Sequence, residues 1–204
     1  MYLVKTPWLL RAAYPTLTWK VPTHLNEVFI TFDDGPHKDI TPFVLETLQR
    51  FYARATFFCL GKNVEANKKI FSNILDDGHA IGNHTYNHYN GWKTDDETYL
   101  KDVMKARKVI NSKLFRPPYG RAGRFQIQQL KKVFNIIMWD VLSGDFDINL
   151  SPEKCLKNVI SNTEQGSIIV FHDSEKAFKR LEYTLPRVLE NFAERGYACK
   201  PIVL

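Results

Sequence analysis

The sequence predicts an α/β fold built on a parallel sheet. Three observations predict it: short apolar runs with little polar alternation, segments of helical period between them, and unusual polar residues placed where the runs stop. Residues 1–26, with Pro7, Pro15 and Pro22, read as an irregular N-terminal arm. Residues 27–204 read as one domain, a size that buries most of a single core. The first strand is Val28-Phe-Ile-Thr-Phe32; Thr41 can then cap a helix with Pro42 at its first position, placing Val44, Leu45, Leu48 and Tyr52 on one face. Ala55–Cys59 and Ala80–Gly82 follow as strands, and Thr94-Asp-Asp-Glu97 is a capping box ahead of Leu100, Val103, Met104 and Ile110. Leu114–Arg116 and Ile136–Trp139 are the next strands, and Ser151-Pro152-Glu153 opens a helix carrying Cys155, Leu156, Val159 and Ile160. Ser167–Phe171, a last helix through Leu181, Leu185, Val188 and Phe192 ending at Gly196, and Ala198–Val203 complete about seven strands. Such alternation means βαβ units and a parallel sheet, open or closed.

Composition narrows the function. Hydrophobic residues make up 44% and charged residues 25%, a globular balance. The longest apolar runs are far too short to span a bilayer, so no membrane span is expected. Met1–Arg11 lacks the basic start of a secretory signal, which predicts a cytoplasmic chain, with association at the cell envelope as the alternative. The net charge of +6 is spread along the chain, with Lys68-Lys69 and Lys131-Lys132 on helices, so no nucleic-acid partner is expected. Cys59, Cys155 and Cys199 lie far apart in an odd number and read as buried thiols.

The polar residues that break the pattern sit at strand ends: Asp33 and Asp34, His84 and His88, Arg116, Asp140, then His172 and Asp173. In parallel α/β folds the C-terminal rim of the strands is where catalytic groups converge. Adjacent side chains of a strand face opposite ways, so Asp33 and Asp34 can serve one site only where Gly35-Pro36 ends the strand; an ordinary turn would read the same. His84-Thr-Tyr-Asn-His88 has a spacing that lets two imidazoles reach one ion, although an HxxxH alone arises by accident. With an Asp it completes a two-His, one-carboxylate set; the donors suit zinc first, with cobalt, manganese and iron also compatible. In Arg116-Pro117-Pro118-Tyr119-Gly120 the prolines lack N–H groups, which leaves the Tyr119 and Gly120 amides as donors for a developing oxyanion, or a merely stiff strand exit.

Thr31-Phe-Asp-Asp-Gly-Pro36, His84–His88, Arg116-Pro-Pro-Tyr119, Trp139-Asp140 and Val170-Phe-His-Asp173 stand in the order of the five motifs of the polysaccharide deacetylases, the NodB homology domains of carbohydrate esterase family 4, and the sequence resembles that family over roughly residues 26–203. The resemblance implies a distorted (β/α) barrel of about seven strands and a catalytic domain over 27–204. It implies a metal-dependent hydrolase that removes acetyl groups from N-acetylated, or O-acetylated, sugars of a glycan. By motif, Asp33 would be the general base, Asp34, His84 and His88 the metal ligands, and Arg116 the cation holding the base. Tyr119 would give its N–H to the oxyanion, and His172 would be the acid with Asp140 hydrogen-bonded behind it. Trp139, Pro118 and Val170 would line the substrate pocket. The expected partner is an N-acetylated glycan and the expected state a monomer. Two departures touch the pocket: Leu142 stands where the fourth motif carries an acid or amide, with Asp145 and Phe146 shifted, and Val170 replaces Leu. Hydrolysis of small non-sugar amides and non-catalytic carbohydrate binding are the rival readings. Trp92 is either a sugar-stacking platform or a packing residue.

Overall fold

In the computed structural model, which describes residues 2–203, seven strands pair in parallel as a curled half-barrel. They are β1 (Glu27–Asp33), β2 (Thr56–Cys59), β3 (Ala80–Asn83), β4 (Leu114–Phe115), β5 (Asn135–Ile136), β6 (Val141–Leu142) and β7 (Ile168–His172), in the order β5-β4-β3-β2-β1-β7-β6. A short β8 (Ala198–Cys199) pairs with the start of β1. The helices are α1 (Trp8–Ala13), α2 (Ile40–Arg50), α3 (Gly61–Ala66), α4 (Lys68–Asp76), α5 (Asp96–Arg107), α6 (Arg124–Leu130), α7 (Pro152–Ile160) and α8 (Glu175–Glu194). No helix among the described residues is long and apolar enough to cross a membrane.

Strand alternation divides the core in two. Val28, Ile30 and Phe32 of β1, with Phe57, Ile169 and Phe171, face outward under α2 and α8. Phe29, Phe58, Leu114, Ile137 and Ile168 fill the interior. On the interior face the register sets Asp33 beside His172 on one side and Phe58 on the other, with Phe58 beside Gly82. A Cβ on Gly82 would lie 2.4 Å from the Phe58 ring, so only glycine leaves room for that aromatic.

Several boundaries differ from the sequence reading. The expected strand Ile136–Trp139 stops at Ile136, and Val141–Leu142 forms a separate strand against β7. Ladder hydrogen bonds end the final strand at Cys199 rather than Val203. Thr41 lies inside α2, its hydroxyl bonded to Asp173 at 2.5 Å, because a tertiary partner outcompetes capping. The cap of α5 is Asp95, which accepts from the Thr98 amide. Ser151 caps α7 as expected.

The N-terminal arm closes the seam between β5 and β6. Thr18 bridges Ile137, Lys20 bridges Ser167 and Lys5 bridges Val141. Leu17 and Trp19 are buried against Tyr99, Phe115 and Met138. Cys59 and Cys155 are buried and Cys199 half-buried, all three unpaired.

Candidate metal centre and active site

At the C-terminal rim the last residue of β1, Asp33, points inward and its Oδ1 accepts 2.7 Å from Arg116 Nη1. Arg116 is 0% exposed and every arm of its fork is used: Nη1 also donates to Thr31 Oγ1, Nε to the Ile137 carbonyl and Nη2 to the Met138 carbonyl. Its guanidinium lies 4.1 Å from the Phe58 ring centroid, and burial pulls its pKa down against the opposing pull of Asp33. A buried cation so fixed holds one oxygen of Asp33 and leaves Oδ2 facing the site, 4.0 Å from His84 Nε2.

One residue on, Asp34 takes a left-handed backbone, φ +84°, which turns its carboxylate toward the same rim. The Asp173 carboxylate accepts from the Gly35 amide at 2.9 Å and clamps this turn; burial raises Asp173 to about 7. Asn63 of α3 donates to the Asp34 carbonyl from the other side.

Asp34 Oδ1 lies 3.2 Å from His88 Nε2 and 3.8 Å from His84 Nε2, and donor atoms of all three residues fall within 4.8 Å of one another. His84 Nδ1 is 2.8 Å from the Arg116 carbonyl, which can only accept, so the proton sits on Nδ1 and the Nε2 lone pair faces Asp34. Burial lowers His84 to about 4, keeping it neutral. Burial pushes Asp34 the other way, but His88, His172 and His84 together hold it below the usual carboxylate range. Asp34 Oδ1 is nonetheless buried without a hydrogen-bond partner. Two imidazole nitrogens and a carboxylate oxygen gathered this closely are a donor set for a single divalent cation.

The histidine loop is braced from α5: Asp102 accepts from the amides of Tyr86 and Asn87, both at 2.9 Å, and from the Asn87 side chain. Sequence reasoning missed Asp102. Its signal was available, since Tyr99, Asp102, Val103 and Ala106 share the buried face of α5 and an acid there needs a partner.

Across the rim His172, last in β7, gives its Nδ1–H to Asp145 Oδ1 at 2.7 Å, and its amide donates to Asp145 Oδ2 at 2.7 Å. Burial would lower this imidazole, but the Asp145 charge and hydrogen bond win and raise it to about 9.

The partner of His172 is therefore Asp145, and the assignment to Asp140 is corrected. Asp140 lies just before β6, at the opposite end of the barrel, where its Oδ2 accepts from Ser167 and Lys5. Ser167 and His172 are five residues apart along an extended strand, about 16 Å. The chain reaches the rim only after β6, at Asp145, the shifted residue of the fourth motif.

Gly120 also departs from expectation: its amide donates to the Pro117 carbonyl, and the Arg121 amide to that of Pro118. Tyr119, at φ +60°, is left as the donor of that loop, its ring 4.7 Å from His88. Pro118 is buried. Trp139 packs under Gly120, where a Cβ would lie 2.5 Å from the indole. Val170 faces inward beside Thr31 and Leu142. Trp92 is 67% exposed, with Arg121 5.1 Å over its ring, so a core role is excluded. A shallow cavity of about 290 Å³ opens beside Asp34 and His88, bounded by Leu60, Asn63, Asp173 and Ser174.

Residues 20–133 match the polysaccharide deacetylase family. The chain belongs to that family. It is 32% identical over 188 residues to a peptidoglycan-N-acetylglucosamine deacetylase of Bacillus cereus, covering 89% of this chain and 88% of that protein. A second Bacillus cereus protein of the same description is 34% identical over 174 residues, covering 82% of this chain and 62% of that protein. A crystal structure of a peptidoglycan N-acetylglucosamine deacetylase bound to an N-hydroxybenzamide superposes with a TM-score of 0.88 at 30% identity, covering 97% of this chain and 95% of that one. The family assignment and the half-barrel agree with what the motifs implied.

Proposed function

We propose that this chain hydrolyses the acetamido group of N-acetylglucosamine units in a polymeric glycan, releasing acetate and leaving a free amine. One observation carries the reading: the Asp34, His84 and His88 donor set stands between two differently prepared groups, Asp33 held by Arg116 and His172 charged by Asp145. The relatives' shared description as N-acetylglucosamine deacetylases supports the substrate class.

The donor types favour zinc. Asp34, His84 and His88 would hold a divalent ion, which would supply Lewis acidity to polarise the acetyl carbonyl and acidify water in the site. Asp33 Oδ2 accepts the proton of the attacking water, its other oxygen pinned by Arg116. The Tyr119 N–H faces the oxygen of the tetrahedral centre and binds it more tightly as charge develops there. His172, cationic below about pH 9, then gives a proton to the departing amine through Nε2, and Asp145 stabilises the imidazolium before transfer and fixes its orientation. Trp139 and Val170 shape the wall for the acetyl methyl.

The test is acetate release from N-acetylglucosamine oligomers and from peptidoglycan by zinc-loaded protein, before and after chelation. Turnover that disappears with the metal and returns with zinc is expected. Full activity in metal-free protein, or none on any acetylated sugar, overturns the reading.

A further inference from the structure

We propose that Tyr2 is a positioning residue for His172, acting through Phe146, and that residues 2–6 form a strap holding the acid pair in place. The chain of contact is short. The Tyr2 ring lies 5.0 Å from that of Phe146 at 60°, and Phe146 lies 5.3 Å from His172 at 74°, an edge-to-face pair. Phe146 follows Asp145 directly, so the residue that walls the imidazole also sets the backbone that presents its carboxylate.

The turn is built around the tyrosine. The Tyr2 hydroxyl donates to Asp147 Oδ2 at 3.2 Å. Gly144 has φ +81°, and a Cβ on it would lie 2.7 Å from the Tyr2 hydroxyl oxygen. Below the turn the strap pairs as an added strand: the Leu142 amide donates to the Val4 carbonyl at 2.8 Å and the Thr6 amide to the Asp140 carbonyl at 2.9 Å. Thr6 Oγ1 donates to the Trp139 carbonyl and Lys5 Nζ reaches Asp140 Oδ2, both at 2.7 Å. From α8, Arg180 donates to the Asp145 carbonyl. The segment carrying Asp145 is thus held from α8 by Arg180, from α7 by Asn158, which donates to the Ser143 carbonyl at 3.0 Å, and at Phe146 and Asp147 by Tyr2 of the strap. With the Tyr2 ring gone, Phe146 can swing away from the imidazole, and the two bonds from Asp145 to His172 lose their fixed geometry.

The experiment compares Tyr2→Ala and Tyr2→Phe in the zinc-loaded full chain, measuring kcat and KM on N-acetylglucosamine oligomers and amide hydrogen exchange. For Tyr2→Ala, kcat is expected to fall about three- to tenfold, the range an aromatic pair accounts for, with KM within about twofold. Exchange should quicken in 141–147 and stay unchanged in β1 to β3. Tyr2→Phe keeps the ring and should retain kcat within about twofold. Unchanged kcat in Tyr2→Ala, or an equal loss in Tyr2→Phe, overturns the proposal. The kinetic arm rests on the deacetylase reading and the exchange arm does not. Inactive wild type would count against that reading only, and unchanged exchange at 141–147 would still sink the strap.

Discussion

The two walls of the site each carry a histidine, His84 buried and His172 partly buried, and the two are driven in opposite directions. His84 offers Nδ1–H to a carbonyl, is lowered to about 4 and stays neutral, with Nε2 free to bind an ion. His172 offers Nδ1–H to a carboxylate, is raised to about 9 and stays charged, with Nε2–H free to leave as a proton. Burial alone would lower both. The partner of the distal nitrogen, a dipole in one case and an anion in the other, decides which becomes ligand and which becomes acid.

Exchanging or deleting those partners tests this contrast. The largest effect is expected from His84→Ala and Asp34→Asn, which should lose bound metal, measured by elemental analysis, and at least about 10³ of kcat/KM. His172→Ala should keep its metal and lose about 10²–10⁴ of kcat. Asp145→Asn should lower kcat by about 10² or more and move the alkaline limb of the pH profile from about 9 toward the ordinary histidine value. If Asp140→Asn has that effect and Asp145→Asn does not, the pairing described here is wrong. Asp140→Asn is expected to stay within about threefold in kcat while losing about 1–3 kcal/mol of stability, since Lys5 and Ser167 lose a buried anionic acceptor.

The same contrast governs stability in metal-free protein. The raised pKa of His172 contributes stability that is fully present below about pH 6.5 and lost as pH rises through about 9. His84 has the reverse sign: below about pH 6.5 the unfolded chain takes up a proton that the fold resists until about pH 4, so stability falls as pH falls through that window. Tm measured against pH should lose its alkaline slope in His172→Ala and soften its acid slope in His84→Ala. The smallest prediction lies away from the site: Gly82→Ala should cost about 1–3 kcal/mol by forcing Phe58, with metal binding retained.

Much of this was legible in the sequence, for local reasons. Strand runs and helical periods report burial, and Asp33, Asp34, His84, His88, Arg116 and His172 lie where a strand stops, which places them on one rim without knowledge of the packing. What was hidden depends on tertiary geometry. A two-residue strand such as β6 is too short for any periodicity, so Asp140 was read at the wrong end of its strand, and Asp145 was noted only as a shifted residue of the fourth motif. Leu17 and Trp19 lie among prolines with no repeat to mark them, yet they are buried because the arm fills the seam. Asp102 belongs to no motif, and it is buried because it shares the inward face of α5 with Tyr99, Val103 and Ala106.

Of five non-glycine residues with positive φ among the described residues, four, Asp34, Thr85, His88 and Tyr119, surround the candidate metal centre. Each such backbone costs on the order of 1–3 kcal/mol. Thermostability and turnover therefore pull against each other in this barrel. A search for heat-resistant variants will be drawn to glycine at those four positions, and the hardier proteins it yields will be the slower ones.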